Sequence, residues 1–96
     1  MDQKKILVVD DEPQILKVVD ARLHKEGYTV VTAPDGEQAL KKFAEQVPDL
    51  VVLDLMLPKL DGFEVCREIR KTSTVPIIIL SAKGDEVDKI VGFQMG

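Results

Sequence analysis

The chain has 96 residues, 45% of them hydrophobic, and a formal net charge of −4. That length holds one domain at most, and the acidic balance argues against direct nucleic-acid binding by this segment. No apolar run can span a membrane, the N-terminal residues lead straight into a strand without room for a signal peptide, and the single cysteine, Cys66, excludes an intramolecular disulfide. A cytoplasmic protein is expected.

Lys5 to Val9 reads as the first strand, a run of branched apolar residues that ends at Asp10-Asp11. Pro13 suits the first turn of a helix, with Asp11 or Glu12 as its N-cap. Ile15, Leu16, Val19 and Leu23 form a helical stripe, and Gly27 can close that helix in a left-handed conformation. Residues 28–32 are a second strand. Asp35 and Gln38 have capping-box spacing ahead of Ala39, Leu40, Phe43 and Ala44, and Pro48 ends the helix. Residues 50–53 are a third strand, which ends at Asp54. Asp61 and Glu64 repeat the capping spacing before a stripe of Phe63, Cys66 and Ile69. Residues 76–80 are a fourth strand. A last helix is expected from Asp85, carrying Val87, Ile90 and Val91, with Gly96 near its end.

The order βαβαβαβα predicts an α/β fold, a mostly parallel sheet with helices on both faces. By a right-handed winding count, one face is short of a helix, so a truncated chain is expected. Strand ends are where open α/β sheets build their sites. If the first and third strands are adjacent, Asp10, Asp11 and Asp54 meet at one edge. Three carboxylates repel each other unless a cation, a lysine or a shared proton offsets the repulsion. The pattern therefore points to a metal-dependent acidic site. Without metal the cluster is expected to hold a proton more tightly than isolated aspartates, and Mg²⁺ to expel it.

These residues resemble the receiver domain of bacterial two-component response regulators. The resemblance covers residues 1–96. It rests on Asp10-Asp11 after the first strand, Pro34-Asp35-Gly36, Asp54 with Leu57-Pro58 and Asp61-Gly62 downstream, and residues 76–82 around the fourth strand. It implies a flavodoxin-like doubly wound parallel sheet of strand order 2-1-3-4, lacking the final βα unit and the lysine and proline that normally follow a fifth strand. Lys83 comes too early to be that lysine.

The resemblance also implies roles. Asp54 would be the phosphoryl acceptor, modified by a sensor histidine kinase. Asp11 and Asp54 would ligate Mg²⁺ directly, Asp10 would act through water, and the main-chain carbonyl of Met56 would complete the protein ligands. Ser81 would hydrogen-bond the phosphoryl group. The modified domain would switch conformation near its fourth helix to control an output such as transcription, through an output domain absent from this chain. Its role would be signalling rather than enzymatic turnover, although it would assist its own phosphorylation and dephosphorylation.

The remaining candidates have simpler readings. Asp61-Gly62 reads as a turn and helix cap, His24 as a favourable charge in the last turn of a helix, and Cys66 as a core residue. Met56 stands where a haloacid-dehalogenase-type phosphatase needs a second Asp, and no GxxxxGK[ST] or GxGxxG sequence supports a nucleotide fold. The rival reading is a structural βα fragment without phosphotransfer. Its flat, apolar edge at residues 76–80 would drive self-association.

Overall fold

Branched apolar residues open the fold in an extended run. The structure is a computed structural model that describes residues 4–54, 62–83 and 86–92, with 80–83 and 86–92 described by backbone alone. Its elements are β1 (Lys5–Val9), α1 (Pro13–Lys25), β2 (Thr29–Ala33), α2 (Gly36–Gln46), β3 (Leu50–Asp54), α3 (Gly62–Arg70), β4 (Ile77–Lys83) and β5 (Glu86–Gly92). The sheet order is β2-β1-β3-β4-β5, parallel from β2 to β4. The expected order 2-1-3-4 is therefore present, with one strand added at its end.

Helix ends follow local chemistry. At α2, Asp35 Oδ1 accepts a hydrogen bond from the Gln38 backbone N–H at 2.8 Å, which satisfies a donor that no helical carbonyl reaches. At the end of α1, Gly27 has φ +98°, its N–H donates to His24 O, and the Tyr28 N–H donates to Leu23 O. Those paired bonds are a Schellman closure, in which glycine avoids the Cβ penalty of the left-handed region. The end of α2 uses a less suitable residue. Val47 sits at φ 48°, exposed, because Pro48 prevents the helix from continuing.

Alternation along the strands divides the sheet into two unequal faces. Leu7, Val9, Val51, Leu53, Ile77 and Ile79 share one face and pack with Ala39 of α2 and with Val65, Cys66 and Ile69 of α3. Cys66 is a buried core residue, as expected. Within α3 the apolar stripe is shifted from the expected one: Val65 is buried, whereas Phe63 at the helix start is exposed. The opposite face carries Ile6 and Val8 under α1, which lies against β1 and β2. No residue of α1 is buried. Leu16, Val19 and Leu23 of the predicted stripe are half-covered, and Ile15 is exposed. Val52 and Ile78 on this face are only half-buried. Among the described residues, α1 is the helix that lies against this face.

Two expectations are corrected at the C-terminal end. The helix predicted from Asp85 is instead a strand over Glu86–Gly92, antiparallel to β4. Its register pairs Ile79 with Val91 and Ser81 with Lys89, with an irregularity between Ser81 and Lys83. The physical reason lies in β4, whose outer N–H and C=O groups need partners. Val87, Ile90 and Val91 are β-branched and suit a strand. The register brings Lys83 opposite Glu86. It follows that residues 76–80 are not an exposed edge, and self-association through that edge does not apply. The sheet edges are β2 and β5.

Candidate functional site

Parallel pairing of β1 with β3 sets Val9 beside Leu53, so the residues that follow, Asp10 and Asp54, leave the sheet at the same end. Carboxylate oxygens of Asp10, Asp11 and Asp54 lie within 4.8 Å of one another. The expected acidic cluster is thus assembled by two strand ends and one strand order. Its three members differ in surroundings: Asp10 is buried (7% exposed), Asp54 is half-buried and Asp11 is exposed. Asp11 and Glu12 border an open cleft with Pro13 and Gln14.

Asp10 is held in place by backbone groups. Its N–H donates to Ala33 O at 3.1 Å, and its Oδ1 accepts from the Glu12 N–H at 2.9 Å. Burial pushes its carboxyl above the ordinary carboxylate value. The Glu12 hydrogen bond opposes this, and the charges of Asp54, Asp11 and Glu12 add to the rise. For Asp10, this is the direction expected of the metal-free cluster.

The capping expectation holds for the position of the cap but not for a side-chain bond from it. Glu12 is the N-cap of α1 by conformation, but no side-chain cap bond is formed there. The side-chain bond comes from Asp10, two residues before Glu12, and Asp11 is not the cap. An Asp that accepts from the N–H two residues on is a recognised turn, so spacing alone could have suggested it. Ser81 lies in β4, one residue beyond the Leu80 that pairs with Asp54; its backbone pairs with Lys89 and its side chain lies outside the described residues. Met56 and Asp61 also lie outside the described residues. His24 is exposed in the last turn of α1.

A doubly wound parallel sheet with three aspartates at the carboxyl ends of two adjacent strands defines a class of acidic-site α/β domains. Comparison with known proteins narrows it. The family model for the response regulator receiver domain matches residues 6–96, and the chain belongs to that family. It is 55% identical over 94 residues to the probable transcriptional regulator ycf27 of Guillardia theta, covering 98% of this chain and 37% of the relative. It is 53% identical over 94 residues to the alkaline phosphatase synthesis transcriptional regulatory protein PhoP of Bacillus subtilis, covering 97% and 39%. The chain thus spans about two fifths of the length of these relatives. Among solved structures it is similar to the response regulator TrrA of Thermotoga maritima in complex with Mg²⁺-BeF, with a TM-score of 0.80 and 48% identity over 85% of this chain and 72% of that one. The BeF3-activated receiver domain of Klebsiella pneumoniae RstA also has a TM-score of 0.80, at 37% identity over 86% and 71%. Among the described residues, no helix is long and apolar enough to cross a membrane.

Proposed function

We propose that this chain is a cytoplasmic receiver domain, spanning residues 1–96, that accepts a phosphoryl group on Asp54 from the histidine of a sensor kinase. The observation that carries this reading is the convergence of Asp10, Asp11 and Asp54 within 4.8 Å at one end of the sheet. An Asp54 oxygen forms the new bond to phosphorus as the bond from phosphorus to the kinase imidazole nitrogen breaks, and the electron pair stays with that nitrogen. An aspartate carboxylate is a weak nucleophile, so positioning and charge neutralisation carry the step.

The residues fit a divalent cation. They offer hard oxygen donors only, and the Asp10 carboxylate is buried beside two others. Asp11, Asp54 and the Met56 carbonyl would hold Mg²⁺, with Asp10 acting through water. The ion would supply charge neutralisation between an anionic donor and an anionic acceptor. Ser81 would contact the transferred group. The aspartyl phosphate would bias a two-state equilibrium that an output domain reads, with transcription as the output, and hydrolysis would reset it. The family resemblance to transcriptional regulators supports that output.

Intact mass tests the reading, after incubation with a small-molecule phosphodonor, with and without Mg²⁺, on the wild-type chain and on Asp54→Asn. A gain of one phosphoryl group that needs both Mg²⁺ and Asp54 is expected. A folded chain that gains nothing refutes it. A second reading, a self-associating fragment without phosphotransfer, draws support from the outer edge of β5 and the thinly covered α1 face. Sedimentation as a monomer at high concentration would exclude it.

A further inference from the structure

Strand β2 stands at one edge of the sheet, with β1 on its inner side. In a parallel ladder a residue that turns its N–H and C=O to the neighbouring strand is followed by one that turns both away. The Thr29 N–H donates to Lys4 O, and Ala33 O accepts from the Asp10 N–H. Thr29, Val31 and Ala33 therefore face β1, and the N–H and C=O groups of Val30 and Thr32 point outwards. The strand, Thr29-Val30-Val31-Thr32-Ala33, carries no charge and no proline. That composition suits the addition of another strand. Among the described residues, the partner of these outward groups is Lys42 of α2, whose Nζ donates to Thr32 O at 3.2 Å.

The edge is complementary to itself. About a twofold axis through Val31, Val30 of one copy would face Thr32 of the other, and each such pair would exchange two hydrogen bonds in an antiparallel ladder. Both pairs use a Thr32 carbonyl, so each brings a Lys42 ammonium against the incoming strand. The carbonyl keeps a second lone pair, and one hydrogen bond by itself would not prevent pairing. The obstacle is charge. Lys42 is already half-buried. A strand laid along β2 would strip further water from its ammonium and supply no carboxylate, since residues 29–33 have none. Two copies would also bring two ammoniums of like sign to one short ladder. Lysine at a sheet edge discourages pairing. Here it acts from the neighbouring helix.

We infer that Lys42 closes the outer edge of β2 against a second copy of this chain: the edge is a latent homodimer surface, and one ammonium from α2 keeps it shut.

The outward N–H of Val30 makes the test specific. Proline at position 30 forfeits no bond to β1, because that N–H points away, but it removes a donor that the pairing needs. Sedimentation equilibrium compares the wild-type chain with Lys42→Gln, Lys42→Arg, Lys41→Gln and the double variant Lys42→Gln/Val30→Pro. Lys42→Gln keeps a donor and loses the charge. It is expected to dimerise about a hundredfold more tightly than wild type, the scale of two charges losing part of their hydration. Lys42→Arg should match wild type, and so should Lys41→Gln, which removes an exposed charge from the same helix. Val30→Pro should cancel the effect of Lys42→Gln. Should the glutamine variant not fold, Lys42→Met carries the same expectation. A folded Lys42 variant without charge that associates no more than wild type overturns the inference. Equal association in Lys41→Gln overturns it too, as an effect of net charge. So does association that Val30→Pro leaves intact, which belongs to another surface.

Discussion

Removing one charge from the acidic cluster should make the metal-free protein more stable, although it removes the residue that the proposed chemistry needs. At 4.8 Å, the outer bound on their separation, two unit charges repel by about 0.9 kcal/mol in bulk water and by about 3.5 kcal/mol at the effective dielectric typical of protein sites. Asp10 is buried and Asp54 half-buried, so their repulsion lies between these limits. Asp54→Asn keeps the shape and removes the charge, so it should stabilise the chain by about 1–3 kcal/mol in low-salt buffer with a chelator. A domain of this size shifts its melting point by roughly 4–8 °C per kcal/mol, so a rise of several degrees should be seen. The pH dependence has a fixed sign. Burial and neighbouring charge raise the Asp10 carboxyl above its ordinary 3.8, so its cost to stability is absent below that value and grows as pH rises through the folded pKa. The advantage of Asp54→Asn should therefore be small near pH 4 and grow as pH rises. Mg²⁺ should stabilise wild type more than the variant. Thermal unfolding at several pH values, with chelator or MgCl2, measures all of this. A variant no more stable than wild type at pH 7 without metal refutes the reasoning.

Three further predictions concern the scaffold. Asp35→Ala removes the oxygen that accepts the Gln38 N–H and should cost about 1 kcal/mol in urea unfolding. Gly27→Ala should cost about 1–2 kcal/mol through backbone strain alone, because φ is +98° and nothing lies within 4 Å of the added Cβ; Gly27→Asn should recover part of the loss. Cys66 should react slowly with thiol reagents in the folded chain, since it is buried and its thiol is pushed up by that burial despite Arg70; Cys66→Ser should cost about 1–3 kcal/mol by placing a hydroxyl in the α2/α3 core.

The first three βα units were readable in order and in approximate limits, because period and strand-ending aspartates agree there. Lys5–Val9 matches its strand limits, Asp35 and Gln38 make the predicted contact, and Gly27 takes the predicted left-handed turn. The acidic cluster was legible for the same reason: adjacency of two strands that end in aspartate is a consequence of topology. The misreadings share a different physics. Residues 86–92 carry helical spacing and strand-forming residues at once, and the unpaired edge of β4, a tertiary demand, decides between them. The stripe shift in α3 has a similar cause: Val65 faces the core and Phe63 does not, which periodicity over nine residues cannot fix without knowing the helix rotation. The Asp10–Glu12 bond was hidden because capping was sought in Asp11 and Glu12 rather than in the residue before them.

The uneven covering of the sheet should also divide the molecule in time. Local opening is easiest where few apolar side chains are withdrawn from water. Helix α1 buries none of its residues, whereas α3 buries Val65, Cys66 and Ile69. Amides of α1 should then exchange with deuterium well before those of α3, through an opening that leaves β1, β3 and α3 in place. The hinge of that opening is the stretch from Asp10 to Glu12, which belongs to both parts. Two of the three clustered carboxylates thus stand at the border between a slow half and a fast half. Whatever neutralises them would hold shut a door whose leaf is the whole of the first helix.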